Sequence, residues 1–193
     1  MINSRIPKCI VGIDYSTTSP AICINVKNEF DFYYLTQTKK FVKEEETEHC
    51  MFKGQYFRNR DFDNLIGRYA YIMRWTMDIL ARYAIDRVWL EDYAYAATGR
   101  VFNIGENTGI LKFKLLQKEI PISIVAPTEV KKSTVGKGNA SKDEMIQEFT
   151  NHLGVDLPKL FDTTTMNPVS DLADSYFICR YGIQQRVLEN FNV

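Results

Sequence analysis

The chain has 193 residues with 45% hydrophobic content, enough for one domain with a sizeable core. Lys and Arg total 24 and Asp and Glu total 24, so net charge carries no nucleic-acid signal and any polyanion-binding surface must be a local cluster. No apolar run approaches the ~20 residues of a membrane span, and no long apolar leader precedes the first strand.

Residues 1–7 read as a short tail. Residues 8–13 form an apolar strand, and a carboxylate, Asp14, closes it. A polar turn of Ser16, Thr17, Thr18 and Ser19 leads to a second apolar run, 21–26, and FDFYYLT at 30–36 is a third strand, giving an antiparallel meander. Segment 37–61 carries KKFVKEEETEH and then KGQYFRNR, and reads as a solvated loop or short strand insert. Apolar positions at helical spacing predict an amphipathic helix over 62–84. Val88-Trp89-Leu90-Glu91 repeats the device of a short buried strand ending in an acid. DYAYAATGRVFNIGENTG reads as a loop. A helix follows at about 105–118, with Ile110, Leu111, Phe113, Leu115 and Leu116 as its apolar positions, and then a strand at 122–126. EVKKSTVGKGN, 129–139, is a basic, Gly-containing loop. Ser141 and Glu144 have capping-box spacing for a helix to about 153. Residues 154–168 form a Pro- and Thr-rich connection, and Ser170 is placed to cap a last helix at about 171–188. A meander followed by strand–helix alternation indicates α/β with a mixed sheet in a single domain, 1–193, whose ligands gather at the carboxyl ends of the strands.

Burying an unpaired carboxylate costs several kcal/mol, so an acid that ends an apolar strand normally gains a partner or a metal. Asp171 and Asp174, three apart on a helix, share one face and lie in its first turn. Each acid has a plain structural reading alone: Asp14 as a turn former, Glu91 as a buried ion-pair partner, the pair as helix-terminal decoration. Together the four suit a hard-cation site, because carboxylates without soft ligands select Mg2+ or Mn2+ over zinc. Two such ions roughly 4 Å apart can activate a water and stabilise a leaving oxygen in attack on a phosphodiester. His49-Cys50 has no second pair of soft ligands to complete a zinc site. Cys9, Cys23 and Cys179 lie in apolar runs, fit no CxxC spacing and read as reduced core residues, in keeping with a cytoplasmic protein.

Lys131, Lys132, Lys137 and Lys142 fall close together, with Gly136 and Gly138 allowing close approach of backbone to a phosphate. The spacing is not that of a P-loop. Lys112, Lys114 and Lys118 on the preceding helix extend this basic surface. Tyr93 and Tyr95 can stack on unpaired bases or pack in the core.

The order of Asp14 in IVGIDYSTTSPA, Glu91 in VWLEDYAYA and the pair in VSDLADSYFI resembles the RuvC-like Holliday junction resolvases of the ribonuclease H-like superfamily. PTEVKKSTVGKGNASKDEM is similar to the family's basic segment before a helix. The resemblance runs from about 8 to 182 and is weakest over 27–62; segment 37–61 has no clear counterpart, and Tyr15-Ser16 stands where the family often has Gly. The compact form is similar to versions carried by viruses and bacteriophages, whose location would be the host cytoplasm. The resemblance implies a ribonuclease H-like fold and a homodimer that cuts four-way junctions with paired nicks, leaving 5′-phosphate and 3′-hydroxyl ends. It implies Asp14, Glu91, Asp171 and Asp174 as catalytic acids holding two Mg2+ or Mn2+ ions, and Lys131 and Lys142 near the scissile phosphate. The alternatives are a relaxed flap, fork and branch endonuclease, a non-catalytic branched-DNA-binding dimer, and an actin-like ATPase, for which the chain is short.

Overall fold

The structure, a computed structural model, describes residues 8–92, 101–163 and 167–191. Among them seven strands form one sheet. β1 (Cys9–Asp14), β2 (Ala21–Val26) and β3 (Glu29–Thr36) make the expected antiparallel meander. β4 (Glu44–Glu46) and β5 (Cys50–Tyr56) come from segment 37–61: β5 joins β3 in parallel and β4 pairs antiparallel outside it. β6 (Ile85–Glu91) lies parallel to β1, and β7 (Ile122–Val125) parallel to β6. The strand order is β4-β5-β3-β2-β1-β6-β7. β1, β3, β5, β6 and β7 therefore all end at one edge of the sheet, the edge that carries Asp14 and Glu91.

Alternation along each strand sends side chains to two cores. Val11, Ile13, Ile22 and Ile24 pack with α1 (Leu65–Leu80) and α2 (Val101–Gln117) on one face. Ile10, Ala21, Cys23 and Phe32 face α3 (Pro127–Val135), α4 (Lys142–Leu153), α5 (Leu157–Phe161) and α6 (Val169–Phe191) on the other. None of the four cysteines is in a disulfide and all are buried, as expected for Cys9, Cys23 and Cys179; Cys50 joins them in the core.

Several local expectations shift. α1 starts at Leu65, where the Asn64 side chain accepts from Gly67 N at 2.8 Å. The basic loop expected at 129–139 is helical through Val135. Pro127 occupies the first turn without needing a donor, and the Ser133 and Thr134 hydroxyls donate back to the Val130 carbonyl at 2.8 and 2.9 Å. Gly136, at φ 84°, ends that helix in the left-handed region that glycine adopts without strain. Lys131 and Lys132 thus sit on a helix, and only Lys137 is on the loop. The Ser141–Glu144 capping box forms as expected. Ser170 does not cap α6; it lies inside the first turn, buried, because the helix begins at Val169. α5 interrupts the expected connection at 154–168.

Candidate active site

Asp14 and Glu91 meet because β1 and β6 run parallel: Ile13 pairs with Leu90, and the two acids follow one step on. α6 brings the other pair. It crosses β1 at Gly12, where an added Cβ would collide with Cys179 N and Ser175 O. Only glycine lets the helix backbone rest on the strand this closely. Asp171 is one turn before Ser175 and Asp174 is adjacent to it, so the same contact delivers both carboxylates to the strand end two residues beyond Gly12.

A chain of hydroxyls and one amide ties the polar turn to this helix. Ser19 N and Thr18 N donate to Ser16 Oγ at 2.8 and 3.3 Å. Asn167 Nδ2 donates to Ser19 Oγ at 2.9 Å. Ser170 Oγ lies 3.4 Å from both Asn167 Oδ1 and Asp171 Oδ1, and accepts from Lys142 Nζ at 3.5 Å. Reading the sequence missed Ser19, Asn167 and Ser170 in this positioning role. The Asn-Pro pair ahead of the last helix was the available signal.

The acids sense one another. Burial pushes Asp14 well above the usual carboxylate range; Asp171, Asp174 and Glu91 add repulsion and Lys142 opposes it. Burial lifts Glu91 to about 7, with Asp174 adding to it and Lys131 and Lys142 holding it back. Asp171 also rises to about 7: burial dominates, the Ser19 hydroxyl lowers it, Asp174 raises it, and Lys142 and Ser170 lower it. Burial raises Asp174 against the pull of Lys142 and Lys131. Lys142 thus acts on all four acids and Lys131 on two, while Lys132, about 100° round the helix from Lys131, acts on none of them.

Two lysines among four acids, one buried and three half-buried, leave the site short of positive charge. Asp171 Oδ2 is buried with no hydrogen-bond partner among the described residues, which fits a cation ligand. The donor set is all oxygen, which suits a hard divalent ion. No group of three His, Cys, Asp or Glu side chains among the described residues is already drawn tightly enough to hold an ion. Charges that raise each other's pKa also hold each other apart.

A stability measurement follows from these shifts. Above pH ~4.5 the unfolded chain has released protons that folded Glu91 and Asp171 keep until about 7. Unfolding then releases protons, so in chelator stability falls as pH rises from 4.5 to 7. A divalent ion such as Mg2+ would bind the carboxylates in their ionised form, so any stabilisation it gives should grow with pH. We expect calorimetry to show a chelator Tm about 5 °C or more lower at pH 7.5 than at pH 5, taking 2–4 °C per kcal/mol. A Mg2+ shift larger at pH 5 than at pH 7.5 would contradict this.

The remaining expected contacts divide. Lys137 is ion-paired to Glu144, the capping-box acid. Lys112 lies on α2, across the sheet from Lys131 and Lys142. Lys114, further along α2, and Lys118, in the turn just after it, line a depression beside Ile85 at the start of β6, the sheet end opposite the acids. That helix does not extend the surface formed by Lys131 and Lys142. Tyr93 and Tyr95 lie outside the described residues.

Comparison with known proteins gives a consistent match. The family model described as crossover junction endodeoxyribonuclease RuvC matches residues 40–171, a segment that contains Glu91, Lys131, Lys142 and Asp171. The crossover junction endodeoxyribonuclease RuvC of Christiangramia forsetii is 24% identical over 160 residues, 81% of this chain and 74% of the relative. That of Ruegeria pomeroyi is 25% identical over 127 residues, 65% of this chain and 76% of the relative. The structure of Thermus thermophilus RuvC in complex with a Holliday junction substrate superposes with a TM-score of 0.60 at 18% identity, covering 90% of this chain and 91% of that one.

Proposed function

The chain belongs to the RuvC family of crossover junction endodeoxyribonucleases, and from that membership we propose that it resolves four-way (Holliday) DNA junctions by paired, metal-dependent phosphodiester hydrolysis. The observation that supports this reading is the convergence of four acids, Asp171 buried and Asp14, Glu91 and Asp174 half-buried, with two lysines set against them, at one edge of the sheet. Asp14, Glu91, Asp171 and Asp174 are the ligands, Mg2+ or Mn2+ the ion, and two ions per site the number such a set suits. Ions held by these four carboxylates would supply an activated attacking water and a positive charge for the leaving oxygen. Lys142, held by Ser170 at the start of α4, sets positive charge beside all four acids, where charge develops on the phosphoryl group. Lys131 supports it from α3. The whole of 1–193 acts as one ribonuclease H-like domain. No described helix is long and apolar enough to cross a membrane, and the four free, buried thiols support a reducing, cytoplasmic setting.

Lysines that stabilise developing charge affect turnover more than ground-state binding. Lys142→Ala is expected to slow single-turnover junction cutting about tenfold or more, the scale of ~1.4 kcal/mol, with a smaller change in affinity. Lys131→Ala should follow in the same direction, and Lys132→Ala should change neither. Wild-type rates for all three under saturating protein would remove these lysines from catalysis.

Two symmetric nicks require two sites related by a two-fold axis, and α2 offers the face for a second copy. Phe113 and Leu116, read from the sequence as apolar positions of this helix, are 61% and 71% exposed, and Phe102, in the stretch read as a loop, is 82% exposed. They share a stripe with Gly105 and Gly109, where a Cβ would meet nothing within 4 Å. A broad apolar stripe on a free helix marks an association surface, and glycines let two helices approach closely. Phe113→Glu should give a monomeric mass at micromolar concentration and leave singly nicked junctions to accumulate. A dimeric mass for this variant would exclude the face.

A further inference from the structure

Segment 37–61 takes no part in the site above, yet the fold sorts its charges. The register row Asp14–Ala21–Tyr34–Gly54 runs across β1, β2, β3 and β5. Lys39 and Lys40 follow β3, and Arg58 and Arg60 follow β5, so all four cations lie just beyond that row at the edge that carries Asp14. The glutamates go the other way. β4 runs antiparallel to β5, so Glu44 pairs with Lys53 and Glu46 with Met51, progressively further from that edge, and Glu48 is in the turn beyond.

The turns that hold the cations are anchored in the core. Tyr34 Oη donates to the Phe41 carbonyl at 2.8 Å and accepts from Lys43 N at 3.2 Å. Phe57 stacks on Tyr71 with ring centroids 6.1 Å apart. Gln37 reaches both sides, donating to the Thr18 carbonyl and accepting from Asn59 N, each at 3.4 Å. Thr18 belongs to the turn that follows Asp14, so this edge is tied to the candidate site. Arg58 is neutralised by Asp61 through two contacts of 2.8 and 3.0 Å. Lys39, Lys40 and Arg60 are exposed and have no carboxylate partner among the described residues. The Lys39 and Lys40 ammonium groups lie over the Tyr56 and Phe41 rings at 5.5 and 4.9 Å. Besides Asp61, the exposed acids near these cations in sequence are Asp63 and, on β4, Glu44, Glu45 and Glu46.

We propose that Lys39, Lys40 and Arg60 form a second phosphate-contact surface that holds a duplex arm of the branched substrate. This rests on the nuclease reading above and deepens it. Three strand spacings of ~4.8 Å separate Asp14 from β5, or ~14 Å, about four base-pair rises of ~3.4 Å. A duplex leaving the cut position along this edge therefore meets the three cations about four base pairs away. A rigid shelf of unpaired cations continuous with the site fits a DNA backbone, which carries regularly spaced charge and needs no matching pocket.

The test measures binding with the full chain carrying Asp14→Asn in Mg2+, against junctions with all arms of about 15 base pairs or with one pair of arms cut to about 3 base pairs and closed by hairpin loops. Adding Lys39→Glu, Lys40→Glu and Arg60→Glu together should weaken long-armed junction binding tenfold or more and leave short-armed binding within about twofold. The corresponding triple alanine variant, which is gentler on folding, should flatten the log–log salt slope by about 2–3, at roughly 0.9 per phosphate contact. Parent-like affinities and salt slopes for both variants at both arm lengths would overturn the assignment. Junction cutting by the wild-type chain, run in parallel, reports separately on the nuclease reading.

Discussion

Asp14→Asn is expected to lower junction cutting by at least about 1,000-fold, ~4 kcal/mol of transition-state stabilisation, while junction affinity stays within severalfold of wild type. The amide keeps the shape of the side chain and removes the anionic ligand. Asp14 is the acid on which the other three converge: Asp171, Asp174 and Glu91 each act on it, and Lys142 opposes them. Binding draws on lysine and arginine contacts that this change leaves in place. Removing one of four like charges also relieves repulsion in the metal-free protein, so the variant should be no less stable than wild type in chelator at pH 7.5. A rate near wild type in single-turnover cutting would take Asp14 out of the site.

Gly12→Ala should damage stability and chemistry together. The new methyl would meet the backbone of α6 at Cys179 and Ser175, and backbone cannot swing aside as a flexible side chain can. Forcing extra atoms into a packed core costs about 1–3 kcal/mol or more, which for a chain of this size lowers Tm by about 2–12 °C. The helix must also retreat from β1, and Asp171 and Asp174 move with it. A shift on the order of 1 Å at a reacting centre can cost about 100-fold, so cutting well below the lowered Tm should fall far more than junction binding. Calorimetry and single-turnover cutting on one preparation check both halves. A variant with wild-type Tm and rate would mean that α6 does not depend on this close approach.

The parts of the site that could be read from the chain are those written in local patterns. Cys9–Ile13 and Val88–Leu90 are continuous apolar runs, each ending in an acid, and three-residue spacing puts Asp171 and Asp174 on one helix face. The Ser141–Glu144 cap is likewise a local signal, and it formed. What escaped depends on distant partners. β5, with Lys53, Gly54 and Gln55 in its middle, does not announce that it pairs with β3, and the sorting of charges along segment 37–61 follows from that pairing. KKSTV looks like loop because Ser and Thr often compete with helix, but here both hydroxyls bond back to Val130. Ser170 looks like a cap in sequence and instead lies buried between Asn167, Asp171 and Lys142. The helical period identifies Phe113 and Leu116 as apolar; only the packing of α2 shows that they face outward.

The central claim is that this edge of the sheet hydrolyses DNA at branch points. Its most direct test incubates the wild-type chain with Mg2+ or with chelator, offering end-labelled four-way junction, fork and linear duplex of the same sequence in parallel. Resolution requires Mg2+-dependent cutting of the junction at paired symmetric positions, products ending in 5′-phosphate and 3′-hydroxyl, and linear duplex left intact. Preferential cutting of the fork would move the substrate to replication branches. Cutting of linear duplex at the junction's rate, or no cutting of any substrate by protein that still binds the junction, would contradict the claim.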